Sequence, residues 1–139
     1  MRRLIFRSFL SIFRSMKSAI QWFDIPTANF ERALKFYSTI LGEELKVTDY
    51  QGQKLGFFPM DQNGEVGGDL VPPSPDFKPS DQGSRVYLNC DGKLDEVIGR
   101  VQKAGGKIVR PKFSIPDADL AIIRDTEGNV VGLSAMKKK

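Results

Sequence analysis

The chain has no histidine and a single cysteine among its 139 residues. Without imidazole there is no His-ligated metal and no histidine acid or base at any position. The lone Cys90 excludes an internal disulfide and points to a reducing, cytoplasmic compartment. No apolar run approaches the ~20 residues that a membrane-spanning helix needs. What is present, 40% apolar residues in a chain of this length, predicts one globular domain that buries roughly two thirds of its unfolded surface.

The net charge of +4 would suggest a nucleic-acid partner if it were spread over the chain. It is not. Arg2, Arg3, Arg7 and Arg14 lie in an acid-free stretch of fifteen residues, and three lysines close the chain at 137–139. Between these ends the balance is acidic, which excludes a phosphate-tracking surface. Residues 1–15 have arginines on one side of a helical wheel and Ile5, Phe6, Phe9, Ile12 and Phe13 on the other. Three readings are open: a dispensable extension with the start at Met16, a contact with a membrane or partner, or a targeting segment. The domain is expected over 16–139.

The organising feature is a pattern written twice, about 64 residues apart. Trp22-Phe23-Asp24-Ile25-Pro26 leads into Phe30–Tyr37 and the Leu41-Gly42 stop, and Tyr87-Leu88-Asn89-Cys90 leads into Leu94–Val101 and the Gly105-Gly106 stop. Ala33, Leu34, Phe36, Tyr37, Ile40 and Leu41 make a helical stripe, as do Leu94, Val97, Ile98 and Val101. Strands are expected at 20–25, 45–50, 54–59, 66–71, 85–90, from 108, 120–124 and 130–135. Gln51-Gly52 and Asn63-Gly64 supply hairpin turns, and Asp125–Asn129 another. Residues 71–83, with four prolines, form a linker between modules of about 18–71 and 84–136. The predicted class is α+β: two βαβββ modules whose eight strands form curved half-barrel sheets, with a helix packed outside each.

The segments Trp22–Pro26, Phe30–Tyr37 with Leu41-Gly42, and Asp125–Leu133 (D-T-E-G-N-V-V-G-L) resemble those of the vicinal oxygen chelate superfamily of glyoxalases, extradiol dioxygenases and bleomycin-resistance proteins. The resemblance covers about residues 20–136. It implies a ligand groove and, in members that perform chemistry, a divalent metal held by four side chains, commonly His and Glu. The matching positions here are Trp22, Asp69, Arg85 and Gly132. Of these only Asp69 offers a ligating atom, so no metal and no cofactor is expected.

Strand alternation then places Asp24 beside Trp22, and Tyr87 and Asn89 beside Arg85, on the groove side. Trp22, Asp24, Asp69, Arg85, Tyr87 and Asn89 are the expected ligand-binding set, with Arg85 pairing with Asp69 or with an anionic ligand. Of Phe57 and Phe58, one faces the core and one the groove. Cys90 faces away from it as an inert thiol. The expected function is metal-independent binding of a small organic molecule, as in the bleomycin-resistance branch. The alternative is a lyase- or isomerase-type enzyme with Asp24 or Asp69 as base, including one using a non-standard divalent metal. A third reading is a membrane adaptor acting through residues 1–15. The resemblance also implies a homodimer.

Overall fold

A computed structural model describes residues 18–61 and 66–138. The extension at 1–15 and the Asn63-Gly64 turn lie outside the described residues. Ten elements follow in the order β1 (Trp22–Pro26), α1 (Phe30–Leu41), β2 (Lys46–Tyr50), β3 (Gln53–Phe57), β4 (Gly67–Val71), β5 (Tyr87–Asn89), α2 (Leu94–Val101), β6 (Lys107–Ser114), β7 (Ala118–Arg124) and β8 (Val130–Met136). They make two four-stranded sheets, ordered β1-β4-β3-β2 and β5-β8-β7-β6. In each sheet the edge strand runs parallel to its neighbour and the other pairs are antiparallel. The α+β class and the two-sheet, two-helix plan are those the repeat predicts, and neither sheet closes into a barrel.

Local chemistry sets the element ends. The Asn29 side chain accepts the Arg32 N–H and caps α1, satisfying a donor that has no partner within the helix. Gly42 ends α1 at φ 71°, donating to the Ser38 and Thr39 carbonyls. Two cations of the second module finish the same end. Lys93 Nζ donates to the Leu41 carbonyl and Arg100 to that of Ile40, which also complements the negative pole of the helix dipole. A Cβ on Gly42 would stand 2.8 Å from Arg100 Nη1. Gly42→Ala therefore combines left-handed backbone strain with a displaced Arg100. Urea unfolding should show a loss of about 1–2 kcal/mol.

Both helix stripes bury their apolar residues in one core. Phe36, Tyr37 and Ile40 of α1 join Val97 and Val101 of α2 against Ile25, Leu70, Leu88, Ile123 and Leu133 of the two sheets. Cys90 is fully buried there, and burial pushes its thiol pKa up. Phe58 enters this core while Phe57 turns to the opposite face of the first sheet, the division expected of the pair. The helices cover one face of each sheet, so functional side chains are to be sought on the other.

One boundary near the groove differs from expectation. Strand β5 spans only Tyr87–Asn89, because its parallel pairing to β8 begins at Tyr87 opposite Gly132. Arg85 therefore precedes the strand. The Gln51-Gly52 turn forms as read, with both residues at positive φ.

Candidate site on the groove faces

Strand register assembles the site in two equivalent halves. Trp22 is opposite Gly67 and Asp24 opposite Asp69 in the first sheet; Tyr87 is opposite Gly132 and Asn89 opposite Ser134 in the second. Both sets are related by an offset of 65 residues. In each half an aromatic ring lies over a glycine of the neighbouring strand. A Cβ at Gly67 would meet Trp22 Cζ3 at 2.7 Å, and one at Gly132 would run into the Tyr87 ring. The ring contacts at these two glycines are not legible in the sequence, since a glycine in a strand signals close approach without naming what approaches.

The first half is the more developed. Trp22, Tyr50, Leu55, Phe57 and Asp69 line a hollow of about 360 Å³. The Trp22 and Phe57 rings meet edge to face, with centroids 5.6 Å apart. Trp22 is 42% exposed and Tyr50 57%, whereas Asp69 at the base is only 3% exposed. Asp69 Oδ1 makes no hydrogen bond. Burial, followed by the Asp24 carboxyl alongside, pushes the Asp69 pKa up to about 7, partly offset by the Trp22 indole N–H.

The remaining candidates are distributed differently. Asp24 lines a second hollow rather than the first, with Phe77, Lys78, Gln82, Val86 and Val130. Tyr87 and Asn89 line a third, narrower one with Phe23, Gly68 and Lys93. Asn89 Oδ1 accepts the Asp91 N–H, which fixes its amide. Arg85 makes no ion pair among the described residues, with Asp69 or any other group. The reason is positional: it stands before β5, where strand alternation no longer aims it.

A larger hollow, about 580 Å³, lies between the proline-rich linker and Thr27, Ala28 and Glu127. Its carboxylate is fully engaged. Glu127, whose side chain is 0% exposed, accepts the Ala28 and Asn29 N–H groups, the Thr126 hydroxyl and two N–H groups of Arg32. Burial alone would raise its pKa, but the hydrogen bonds from Arg32, Asn29, Thr126 and Ala28 outweigh it and hold the pKa below the ordinary carboxylate range. This group is a structural clamp across the modules, not a ligand site.

The four positions corresponding to metal ligands do not fit a metal. Trp22 and Gly132 have no ligating side-chain atom, and Arg85 is a permanent cation. Among the described residues no group of three or more His, Cys, Asp or Glu side chains could hold an ion. Nor is any helix among them long and apolar enough to cross a membrane.

Comparison with known proteins agrees with this geometry. A Mycobacterium bovis protein that carries only the provisional name glyoxylase CFP32 is 29% identical over 115 residues, which cover 81% of this chain and 43% of that protein. The chain thus spans less than half the length of this curated relative. The solved structure of TnmS3, an antibiotic binding protein from Streptomyces sp. CB03234, superposes with a TM-score of 0.63 at 25% identity, covering 88% of this chain and 100% of that one. A glyoxalase/bleomycin resistance protein from Albidiferax ferrireducens superposes with a TM-score of 0.67 at 17% identity, over 85% and 98% of the two chains, and shows the shared fold. The family model matches residues 19–133, and the chain belongs to the Glyoxalase/Bleomycin resistance protein/Dioxygenase superfamily.

Proposed function

We propose that this protein binds a small organic molecule without a metal, on the groove face built around Trp22 and Asp69. The observation that carries the reading is the hollow itself. An exposed aromatic shelf of Trp22, Tyr50 and Phe57 surrounds one buried, unpartnered carboxyl oxygen of Asp69. Binding sites are commonly apolar surfaces with a few polar groups that fix orientation. The likeness to an antibiotic binding protein supports the same class of function. Asp24 belongs to this half of the site, and Tyr87 and Asn89 would contribute from the second half. Arg85, which makes no ion pair among the described residues, would meet a polar group of the ligand away from the Asp24–Asp69 corner.

The two groove faces expose Trp22, Tyr50 and Tyr87, with Tyr87 at 47%. We propose that a homodimer covers them and completes the groove, with the protein residing in the cytoplasm. Sedimentation equilibrium checks the dimer, and a monomer at micromolar concentration would contradict it.

A second reading, a lyase- or isomerase-type enzyme, is favoured by the raised pKa of Asp69, which suits a general base near neutral pH. Such chemistry also needs a group that stabilises the product anion. Arg85 is the candidate cation, and it makes no contact with Asp69. The binding reading therefore stands first.

A thermal-shift screen of small aromatic compounds tests it. At least one compound should raise the melting temperature, and Trp22→Ala should abolish that shift while the circular dichroism spectrum is retained. A shift that survives Trp22→Ala would move the site elsewhere.

A further inference from the structure

Across the first sheet one row of side chains on the groove face runs Asp24, Asp69, Phe57, Lys46, as the register dictates. Lys46 stands at the far end of this row, beyond Phe57, so it does not neutralise the carboxyl pair. On the same face β3 offers Gln53, Leu55 and Phe57, none of which titrates, and β2 adds Tyr50, a phenol. Met60, from the segment after β3, packs where Trp22 crosses Gly67. On this face the neighbours of Asp69 are mainly aromatic or aliphatic, while beside Asp24 the linker residue Lys78 lines the adjoining hollow. Asp69 is only 3% exposed, its Oδ1 is buried without a donor, and the residue forms part of the wall of the Trp22–Tyr50–Phe57 hollow.

Resting on the small-molecule reading above, we propose that this corner selects a protonated amine carried on a flat apolar body. The ammonium would lie between Asp24 and Asp69, supplying the hydrogen bonds that Asp69 Oδ1 lacks. The body would lie on Trp22, Phe57 and Tyr50. Three physical terms favour this class over a neutral or anionic one. A pair of adjacent carboxyls gains from a cation that relieves their mutual repulsion. An aromatic face attracts a cation through its quadrupole. A buried acceptor without a donor is costly, and an ammonium brings three donors. A carboxylate-bearing ligand would meet two like charges in the same corner.

The cation pairs with the ionised form of Asp69, so affinity depends on pH. With Asp69 near 7, its ionised fraction rises about tenfold from pH 6 to pH 8, and the affinity should rise by about the same factor. A primary alkylamine stays protonated throughout that interval, so the change reports the protein and not the probe.

Trp22 is the only tryptophan in the chain, and its fluorescence reads the shelf directly. The probes are 2-phenylethylamine, 2-phenylethanol and phenylacetate, titrated into the full-length protein at pH 6 and pH 8. The amine should bind at least tenfold more tightly than the alcohol at pH 8 and about tenfold more weakly at pH 6, with the alcohol unaffected by pH. Asp69→Asn should erase both the preference and the pH dependence while alcohol binding persists. Asp24→Asn provides the second variant should Asn at 69 alter folding. If the alcohol or phenylacetate binds as tightly as the amine, the shelf remains a small-molecule site and the amine assignment is overturned. If no probe changes Trp22 emission or the thermal stability, the amine assignment fails; if the compound screen also finds no stabiliser, the binding reading fails with it.

Discussion

Asp125→Ala is expected to cost about 3–5 kcal/mol of folding stability, enough to leave much of a marginally stable domain unfolded. The Asp125 carboxylate is 4% exposed and accepts four hydrogen bonds. They come from the Tyr37 hydroxyl at 2.6 Å, the Glu127 N–H at 2.8 Å, the Asn129 N–H at 2.9 Å and the Asn129 amide at 3.0 Å. Alanine would leave all four donors without their acceptor in a site closed to bulk water. The Asn129 amide also donates to the Pro26 carbonyl and its oxygen accepts from the Ser80 N–H. This one carboxylate thus ties the β7–β8 turn to α1, to the end of β1 and to the linker. Tyr37→Phe removes a single donor and should cost about 1 kcal/mol. Urea denaturation of the two variants checks the ratio. An Asp125→Ala loss below 1 kcal/mol would mean that this cluster does not join the modules.

The second large effect has the opposite sign. Asp69→Asn should stabilise the protein by about 1–3 kcal/mol at pH 8 and progressively less toward pH 4. Asp69 has a folded pKa of about 7, above the ~3.9 of an unfolded aspartate. Between those values the native state holds more protons than the unfolded chain. The contribution of this group is complete below about pH 4 and is lost as pH rises through about 7. Glu127 works in the reverse direction. Its lowered pKa gives stability above the ordinary glutamate value of about 4.3, lost as pH falls below it. The two windows are separate, so melting temperatures from pH 2 to pH 9 resolve them. Wild type should lose stability between pH 5 and pH 8 relative to Asp69→Asn, and a parallel pair of curves would refute the raised pKa. A residue that destabilises its own fold at working pH is expected where binding requires an unsatisfied group.

Local signals carried most of the fold. The Gly42 stop, the two helical stripes and the Gln51-Gly52 turn are all chemistry within a few residues, and each forms as read. The groove-facing alternation of Trp22 with Asp24, and the opposite facing of Phe57 and Phe58, follow from the period of a strand. Asp69 was placed on the groove by family resemblance, but its neighbour was not. The sequence reading has Arg85 pair with it or with an anionic ligand, whereas the parallel register of β1 with β4 puts Asp24 opposite Asp69. Register is fixed by tertiary pairing and is invisible in a strand read alone. Arg85 itself falls short because β5 is half the length its apolar run suggests.

The clamp at the turn was legible only in part. Asp125–Asn129 reads correctly as a turn, with Gly128 at φ 97°. Its wider role depends on partners 88 to 103 residues away in Tyr37, Ala28, Asn29, Arg32 and Pro26. One clue was available: Tyr37 lies mid-stripe on the buried face of α1, and a buried phenol needs an acceptor. Residue spacing does not say which carboxylate supplies it. The same holds for Gly67 and Gly132, whose need for glycine comes from the rings that cover them.

The central claim is binding on the Trp22 face without a metal. The most direct test titrates small aromatic compounds against Trp22 fluorescence before and after exhaustive treatment with a chelator, with metal content measured on both samples. The account predicts at least one compound with a saturable emission change and the same Kd in both samples. Binding that disappears with the chelator and returns on adding a stoichiometric divalent ion would contradict it.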